Sequence, residues 1–229
     1  MRTTPILALD VPAAADAIEL VDYLGDRCRF YKVGSELFTA AGPGIVRELR
    51  ARGCDVFLDL KFHDIPNTVT GGVRAAAALG ARLVTVHATG GRGMLEAAVQ
   101  AAGADCGVLA VTVLTSLNAG EVAAVWGRGS PLDLSAEVMR LAELSASAGT
   151  HGLVCSGLEA AAVHARFGDK LALLVPGVRA ADAAAHDQAR IVTPAGAAAA
   201  GARYVVIGRM VTAAADRRAA MERVLEDLA

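Results

Sequence analysis

Short apolar runs alternate with longer segments of helical pattern along the whole chain. The apolar runs predict strands over residues 6–10, 30–34, 55–61, 83–87, 107–113, 152–155, 171–175 and 204–208. Between them, apolar residues recur every three or four positions, which predicts helices over residues 13–24, 36–52, 91–102, 135–148 and 212–228. Eight strands alternating with helices in 229 residues indicate an α/β fold, the (β/α)₈ or TIM barrel. A doubly wound open sheet stays the alternative.

Polar residues gather at the carboxyl ends of the predicted strands, and they favour the barrel over the open sheet. They are Asp10, Lys32, Asp59, Lys61, His87, Thr115 and the pair Gly208-Arg209. Loops at the carboxyl face of a (β/α)₈ barrel surround one central mouth, where the active sites of such enzymes lie. We therefore expect residues that are far apart in the sequence to meet in one pocket.

Composition narrows the class of protein. Hydrophobic residues make up 54% of the chain, but much of this is alanine, and no apolar run approaches the roughly 18 residues that span a bilayer. The first residues lack the features of a secretory signal, and no linker divides the chain, so we expect a cytoplasmic protein with a single domain over residues 1–229. The formal net charge of -2, without a basic block, argues against nucleic acid or a membrane as partner.

Cysteine spacing and the common nucleotide motifs exclude further classes. The four cysteines, Cys28, Cys54, Cys106 and Cys155, are scattered and have no histidine cluster beside them. We expect them to be reduced and a structural zinc site to be absent. The chain also lacks a GxGxxG motif, a Walker A loop and a GxSxG elbow, so nothing supports a dinucleotide, nucleoside triphosphate or serine hydrolase site.

The densest group of charges follows the apolar run Val56-Phe57-Leu58. Asp59, Lys61 and Asp64 place two carboxylates and an ammonium within six residues, in a chain with three lysines. On a regular strand, Asp59 and Lys61 point to the same face, where burial is costly unless their charges neutralise one another. With Lys32, they would form a row of alternating charges that holds an ammonium where it could protonate carbon or stabilise a carbanion. The alternative is a surface ion pair.

A second group predicts a phosphate site. Val175-Pro176-Gly177-Val178-Arg179 ends the seventh strand, and Val206-Ile207-Gly208-Arg209 ends the eighth. Backbone N–H groups at the two glycines, each beside an arginine, suit a phosphate dianion, and barrels often bind phosphate at these loops. The polar segment 180–190 between them would be a mobile lid that contributes Gln188.

Other polar residues leave two interpretations open. His87 would face the mouth either as a hydrogen-bonded structural residue or as a catalytic one. The hydroxyls of residues 112–116 could bind the amide-like edge of a ring or cap the next helix. Trp126, His151, His164 and His186 show no partner pattern, and we interpret them as structural.

Together these motifs strongly resemble the orotidine 5′-phosphate decarboxylase family, over nearly the whole chain. The Asp-x-Lys-x-x-Asp core alone occurs in a broader superfamily. The specific elements are Ala8-Leu9-Asp10, Lys32-Val33-Gly34, residues 59–68, Val86-His87-Ala88, Leu114-Thr115-Ser116, Pro176-Gly177-Val178-Arg179, Asp187-Gln188, Thr193-Pro194 and Gly208-Arg209. One departure is Met210, where relatives usually have a small residue.

The resemblance implies a role for each matching residue. Lys61 would protonate C6 of the pyrimidine as carbon dioxide leaves, and Asp59 would face the substrate carboxylate. The catalytic set would be Lys61, Asp59, Asp64 and Lys32. The substrate-binding set would be Asp10 and Lys32 at the ribose, Thr115 and Ser116 at the base, and Arg179, Gln188, Gly208 and Arg209 at the phosphate. Asp64 and Thr68 would reach the neighbouring site of a homodimer, and no metal or cofactor is implied.

Two other functions compete with this one. A sugar-phosphate decarboxylase or hexulose-phosphate synthase would share the charged core but stabilise an enediolate on magnesium. A barrel that binds a phosphorylated ligand without catalysis is the other alternative. Its distinguishing feature would be the loss of Lys61 or Asp59, and both are present.

Overall fold

A closed barrel of parallel strands forms the centre of the computed structural model, which describes residues 2–129, 132–179 and 192–229. Within these ranges the barrel has eight strands in chain order, each paired with the next and β1 paired with β8. They are β1 (Thr4–Ala8), β2 (Phe30–Gly34), β3 (Asp55–Phe62), β4 (Leu83–His87), β5 (Gly107–Val111), β6 (Gly152–Val154), β7 (Ala172–Val178) and β8 (Tyr204–Ile207). The predicted (β/α)₈ fold is confirmed.

Helices surround the barrel. They are α1 (Ala14–Leu24), α2 (Ser35–Ala41), α3 (Gly44–Ala51), α4 (Pro66–Ala78), α5 (Arg92–Ala102), α6 (Ala119–Trp126), α7 (Leu134–Ser147), α8 (Gly157–Phe167), α9 (Pro194–Ala199), α10 (Arg209–Thr212) and α11 (Arg217–Asp227). None of those described is long and apolar enough to cross a membrane.

Two predicted helices differ from the structure. The helix expected over residues 36–52 is two helices, because Gly42 takes a positive φ of 63° and Pro43 has no N–H to continue the first one. The helix expected over 212–228 begins only at Arg217, where the Asp216 side chain accepts a hydrogen bond from Ala219 N and caps it.

The side chains of each strand alternate between two apolar cores. In β3, Val56 and Leu58 pack outward against the helices, while Phe57 belongs to a cluster that fills the barrel. Period-two alternation makes Asp59 the next position on the Phe57 face. In β2, Phe30 faces the barrel interior in the same way and is followed on that face by Lys32. The inner surface therefore changes from apolar to charged towards the carboxyl ends of the strands.

His151 closes the opposite, amino-terminal end of the barrel. Its ring lies over Gly107, where an added Cβ would come within 2.8 Å of the imidazole. Its Nε2 is 3.4 Å from the hydroxyl of Tyr204. Burial, and to a lesser extent the positive charges of Arg82 and Arg203, lower the pKa of His151. The folded protein therefore favours the neutral ring.

We predict that protonation of His151 weakens the fold. Because its folded-state pKa is depressed, the unfolded chain takes up a proton first as the pH falls below about 6.5. The free energy of unfolding should be greatest above that pH and decline towards pH 5, as measured by urea denaturation. His87 has a shift of the same sign, so His151→Gln should reduce this slope without removing it. An unchanged slope in His151→Gln would contradict the prediction.

Candidate active site

A cavity of about 780 Å³ opens at the carboxyl ends of the strands. Four of the predicted site residues line it from β1 to β3: Asp10, Lys32, Asp59 and Lys61. Four more line it from the side of β5, β7 and β8: Thr115, Arg179, Gly208 and Arg209. The barrel thus brings together most of the residues that the motifs singled out.

A two-oxygen ion pair joins Lys61 to Asp59. Lys61 Nζ lies 2.8 Å from Oδ1 and 2.8 Å from Oδ2 of Asp59. The Asp59 side chain is 13% exposed. Because the pair lines the cavity, a bound molecule would meet an ammonium whose position is set by a largely buried carboxylate.

A bulge at the end of β3 brings these two side chains together. Leu58 pairs with Val84 on β4, but Phe62 pairs with Val86, so residues 59–61 of β3 lie opposite a single residue, Thr85. Lys61 takes a φ of 50°, the one positive φ outside glycine in the described ranges. A regular strand would also place Asp59 and Lys61 on one face, but in the structure the two side chains meet through this irregularity.

A second ion pair holds Lys32. Lys32 Nζ lies 2.8 Å from Oδ1 of Asp10, and the lysine side chain is 12% exposed. Gly34 makes room for the ammonium, because an added Cβ would come within 3.0 Å of Lys32 Nζ. Gly34 belongs to the motif Lys32-Val33-Gly34, but we had predicted no role for it from the sequence. A glycine two positions after an inward lysine was the available signal.

The predicted row of four alternating charges is therefore two separate pairs, Lys32 with Asp10 and Lys61 with Asp59. Asp64 lies outside them: it is exposed, and its Oδ1 accepts a hydrogen bond of 2.6 Å from Ile65 N. Thr68, one turn further along in α4, is exposed too, as is Ser116 beside Thr115. The physical reason for the position of Asp64 is that β3 ends at Phe62 and α4 begins at Pro66, so Asp64 lies in the connection between them and not on the strand.

The loops after β7 and β8 form the far wall of the cavity. β7 is irregular between Val175 and Val178, and Gly177 there has a φ of 71°, which glycine adopts without strain. Gly208 directly precedes α10, so Arg209 is the first residue of that helix. Met210 also lines the cavity. Gln188, His186 and the predicted lid lie outside the described residues.

His87 and Thr112 are two of the residues for which the sequence left two interpretations open. His87 is half-buried, its ring 5.2 Å from that of His63. Burial, followed by His63 and Lys61, lowers the pKa of His87, and Asp59 opposes this. Thr112 donates to Val154 O.

In the described ranges, the helix after β5 is capped by a residue other than Thr115 or Ser116, and no group of side chains suits a metal ion. The helix after β5 is capped by Asn118, whose side chain accepts from Gly120 N and Glu121 N, so the capping alternative for Thr115 and Ser116 is wrong. His, Cys, Asp and Glu side chains form no group of three or more there that could hold a metal ion.

Fold and site together define a (β/α)₈ barrel in which an Asp-x-Lys-x-x-Asp motif begins in β3 and glycine–arginine loops follow at the ends of β7 and β8. The family model described as "Orotidine 5'-phosphate decarboxylase / HUMPS family" matches residues 3–224. The chain belongs to this family.

Individual relatives agree with the family assignment. Orotidine 5'-phosphate decarboxylase of Halorhodospira halophila is 52% identical over 227 residues, which cover 98% of this chain and 95% of the relative. The protein of the same name from Laribacter hongkongensis is 50% identical over 229 residues, covering 98% and 92%. The crystal structure of orotidine 5'-phosphate decarboxylase from Lactobacillus acidophilus superposes with a TM-score of 0.86 at 35% identity, covering 100% of this chain and 99% of that one.

Proposed function

We propose that this protein is a carbon–carbon lyase that decarboxylates orotidine 5′-phosphate to UMP in pyrimidine biosynthesis. The names of its relatives support the substrate, and one observation carries the chemistry. The Lys61 ammonium donates hydrogen bonds to both oxygens of Asp59. It lines the same cavity as the glycine–arginine loops that contain Arg179 and Arg209. One cavity thus offers a proton donor and a separate anion-binding wall.

Lys61 is the proton donor in this proposal. The bond between C6 and the carboxyl carbon breaks, its electron pair stays on C6, and carbon dioxide leaves. A proton from Lys61 Nζ then forms the new C6–H bond, and the neutral amine regains a proton from water. Asp59 fixes the ammonium at the carbon that becomes negative.

Stabilisation of the carbanion must outweigh repulsion in the ground state. Asp59 would face the substrate carboxylate, and two such charges 4 Å apart repel by about 4 kcal/mol at an effective dielectric constant of about 20. Enzymes lower barriers by about 8–23 kcal/mol, so this repulsion is too small to explain catalysis. The larger part must come from a preorganised cation next to C6, and the hydrogen-bonded Lys61 provides one.

Binding groups distant from C6 would hold the ring in place. Arg179 and Arg209, with the backbone at Gly177 and Gly208, would bind the phosphate. Gln188, which lies outside the described residues, would be a further phosphate ligand. Lys32 and Asp10 would bind the ribose hydroxyls, and Thr115 and Ser116 the base. Binding energy from the phosphate can then be used to orient the reacting carbon.

The proposal needs no metal or organic cofactor, because Lys61 supplies the positive charge. A magnesium-dependent sugar-phosphate enzyme is the competing function in this superfamily. It predicts that EDTA abolishes activity, whereas our proposal predicts resistance to EDTA. A single domain over residues 1–229 and a cytoplasmic location stay predictions.

Lys61→Ala should abolish turnover of orotidine 5′-phosphate, because the proton donor and the charge opposite C6 are both lost. UMP should still bind, since the phosphate loops are untouched. Turnover can be followed as carbon dioxide released from carboxyl-labelled substrate, and binding by calorimetry. Lys170→Ala is the matched control, because Lys170 precedes β7 at the opposite end of the barrel. Near-normal turnover by Lys61→Ala would refute the assignment.

Arg209→Ala should weaken binding of UMP by about 10- to 100-fold, because a charge-assisted hydrogen bond to the phosphate is lost. Binding of uridine, which has no phosphate, should change little. Calorimetric titration with both ligands makes the comparison within one variant. Equal losses of affinity for UMP and uridine would show that Arg209 does not bind the phosphate.

We also propose that the enzyme is a homodimer in which Asp64 and Thr68 complete the neighbouring site. Both residues are exposed in this chain, and Asp64 lies beyond the residues that line its own cavity. Between them Ile65 is 66% exposed, which is unusual for a large apolar side chain and is compatible with burial in an interface. These exposures support the proposal that the segment serves a second protomer.

Mixing two inactive variants tests this arrangement. Lys61→Ala and Asp64→Ala damage different halves of a shared site, so a mixed dimer contains one intact site and one doubly altered site. Random exchange of protomers should restore about a quarter of wild-type activity. Mixed dimers seen by native mass spectrometry without recovered activity would contradict the proposal, as would an active Asp64→Ala variant.

A further inference from the structure

Thr85 forms hydrogen bonds to both members of the Asp59–Lys61 pair. It lies in β4, is 1% exposed, and is the residue opposite the three bulged residues of β3. Its Oγ1 donates a hydrogen bond of 2.9 Å to Asp59 Oδ1 and accepts one of 2.9 Å from Lys61 N. The sequence pattern alone predicted no role for Thr85.

The Thr85 hydroxyl is a donor in one of these hydrogen bonds and an acceptor in the other. A threonine hydroxyl has one proton to donate and lone pairs to accept with. The donated proton reaches the same oxygen, Asp59 Oδ1, that also accepts from Lys61 Nζ. Rotation of the carboxylate would break both contacts at once, so Thr85 fixes the direction in which Asp59 presents its oxygens.

The accepted hydrogen bond supports the unusual backbone of Lys61. A bulge disrupts the ladder between strands, and a buried N–H needs another acceptor. The hydroxyl of Thr85 supplies that acceptor to Lys61 N. A left-handed backbone is unfavourable for a residue with a Cβ, and such conformations persist where the surroundings impose them.

We propose that Thr85 is a positioning residue for decarboxylation: its hydroxyl sets both the Asp59 carboxylate and the backbone turn that aims the Lys61 ammonium. It acts through these two residues and does not line the cavity. The inference rests on the proposed function, because the group that it positions is the proposed proton donor.

Thr85→Val keeps the shape of the side chain and removes the hydroxyl. The value of kcat should fall about 10- to 100-fold, the effect of losing one hydrogen bond to a charged group. Affinity for UMP should change less than about threefold, since Thr85 lies in β4, which pairs with β3 and β5 and not with β7 or β8, the strands that carry the proposed phosphate-binding loops. Thr85→Ser, which retains the hydroxyl, should recover most of kcat.

Thr150→Val is the matched control. Thr150 is also buried, but it lies just before β6, at the amino-terminal end of the barrel, and its hydroxyl is within hydrogen-bond distance of the backbone carbonyls of Ser145 in α7 and Gly152 in β6. Thr150→Val should therefore retain kcat. If Thr150→Val and Thr85→Val lower kcat equally, loss of any buried hydroxyl explains the effect and the proposal fails.

Lysine-selective ¹⁵N labelling gives a readout that general destabilisation would not reproduce. The chain has three lysines, so the amide spectrum should contain three signals. Thr85→Val should shift the signal of Lys61 while those of Lys32 and Lys170 stay in place. In the wild type, the Lys61 amide should exchange slowly with D₂O, which tests its hydrogen bond even if Thr85→Val fails to fold. A rapidly exchanging Lys61 amide would overturn the proposal.

These outcomes separate the inference from the function on which it rests. A wild-type protein that leaves orotidine 5′-phosphate unchanged refutes the function. An active wild type with an equally active Thr85→Val variant refutes only the role of Thr85.

Discussion

The ion pair between Lys61 and Asp59 is the interaction on which the site depends. A charge near the interior of a barrel is costly unless a partner of opposite charge neutralises it, and each member of this pair provides that for the other. Alternation along β3 carries Asp59 onto the Phe57 face, and Lys61 reaches it only because the strand bulges. Weakening this contact would leave the Asp59 carboxylate without a neutralising charge and the Lys61 ammonium without a fixed position in the cavity.

The irregular parts of the barrel lie around the cavity. Strand register shifts between Leu58 and Phe62 in β3 and between Val175 and Val178 in β7, and both segments contribute residues to the cavity wall. Each shift coincides with a positive φ, at Lys61 and at Gly177. The glycine adopts it freely, whereas the lysine needs outside support, which the Thr85 hydroxyl provides. Local departures from regular pairing thus set the positions of the polar groups at the carboxyl ends of the strands. The regularly paired amino-terminal part of the barrel supplies a rigid base for them.

Local pattern predicted the strands well because their apolar runs are short and bounded by polar residues. The bounds of β2 and β4 agree with the prediction, and Lys32 and Asp59 were recognised by their places on apolar strands. Pairing between strands could not be read in the same way. The bulge in β3, and with it the role of Thr85, depends on the register with β4, which is a tertiary property. Asp64 lies in the connection between β3 and α4, so its position relative to Lys61 is also a tertiary property. The break at Gly42-Pro43 had a clear local signal that the helical periodicity on either side concealed.

The most direct test of the account is the ultraviolet absorbance of orotidine 5′-phosphate during incubation with the purified protein in excess EDTA. If the Asp59–Lys61 pair and the phosphate loops act together on C6, the orotate band should disappear as UMP forms in equal amount. An unchanged band, or conversion that requires added magnesium, would contradict the account.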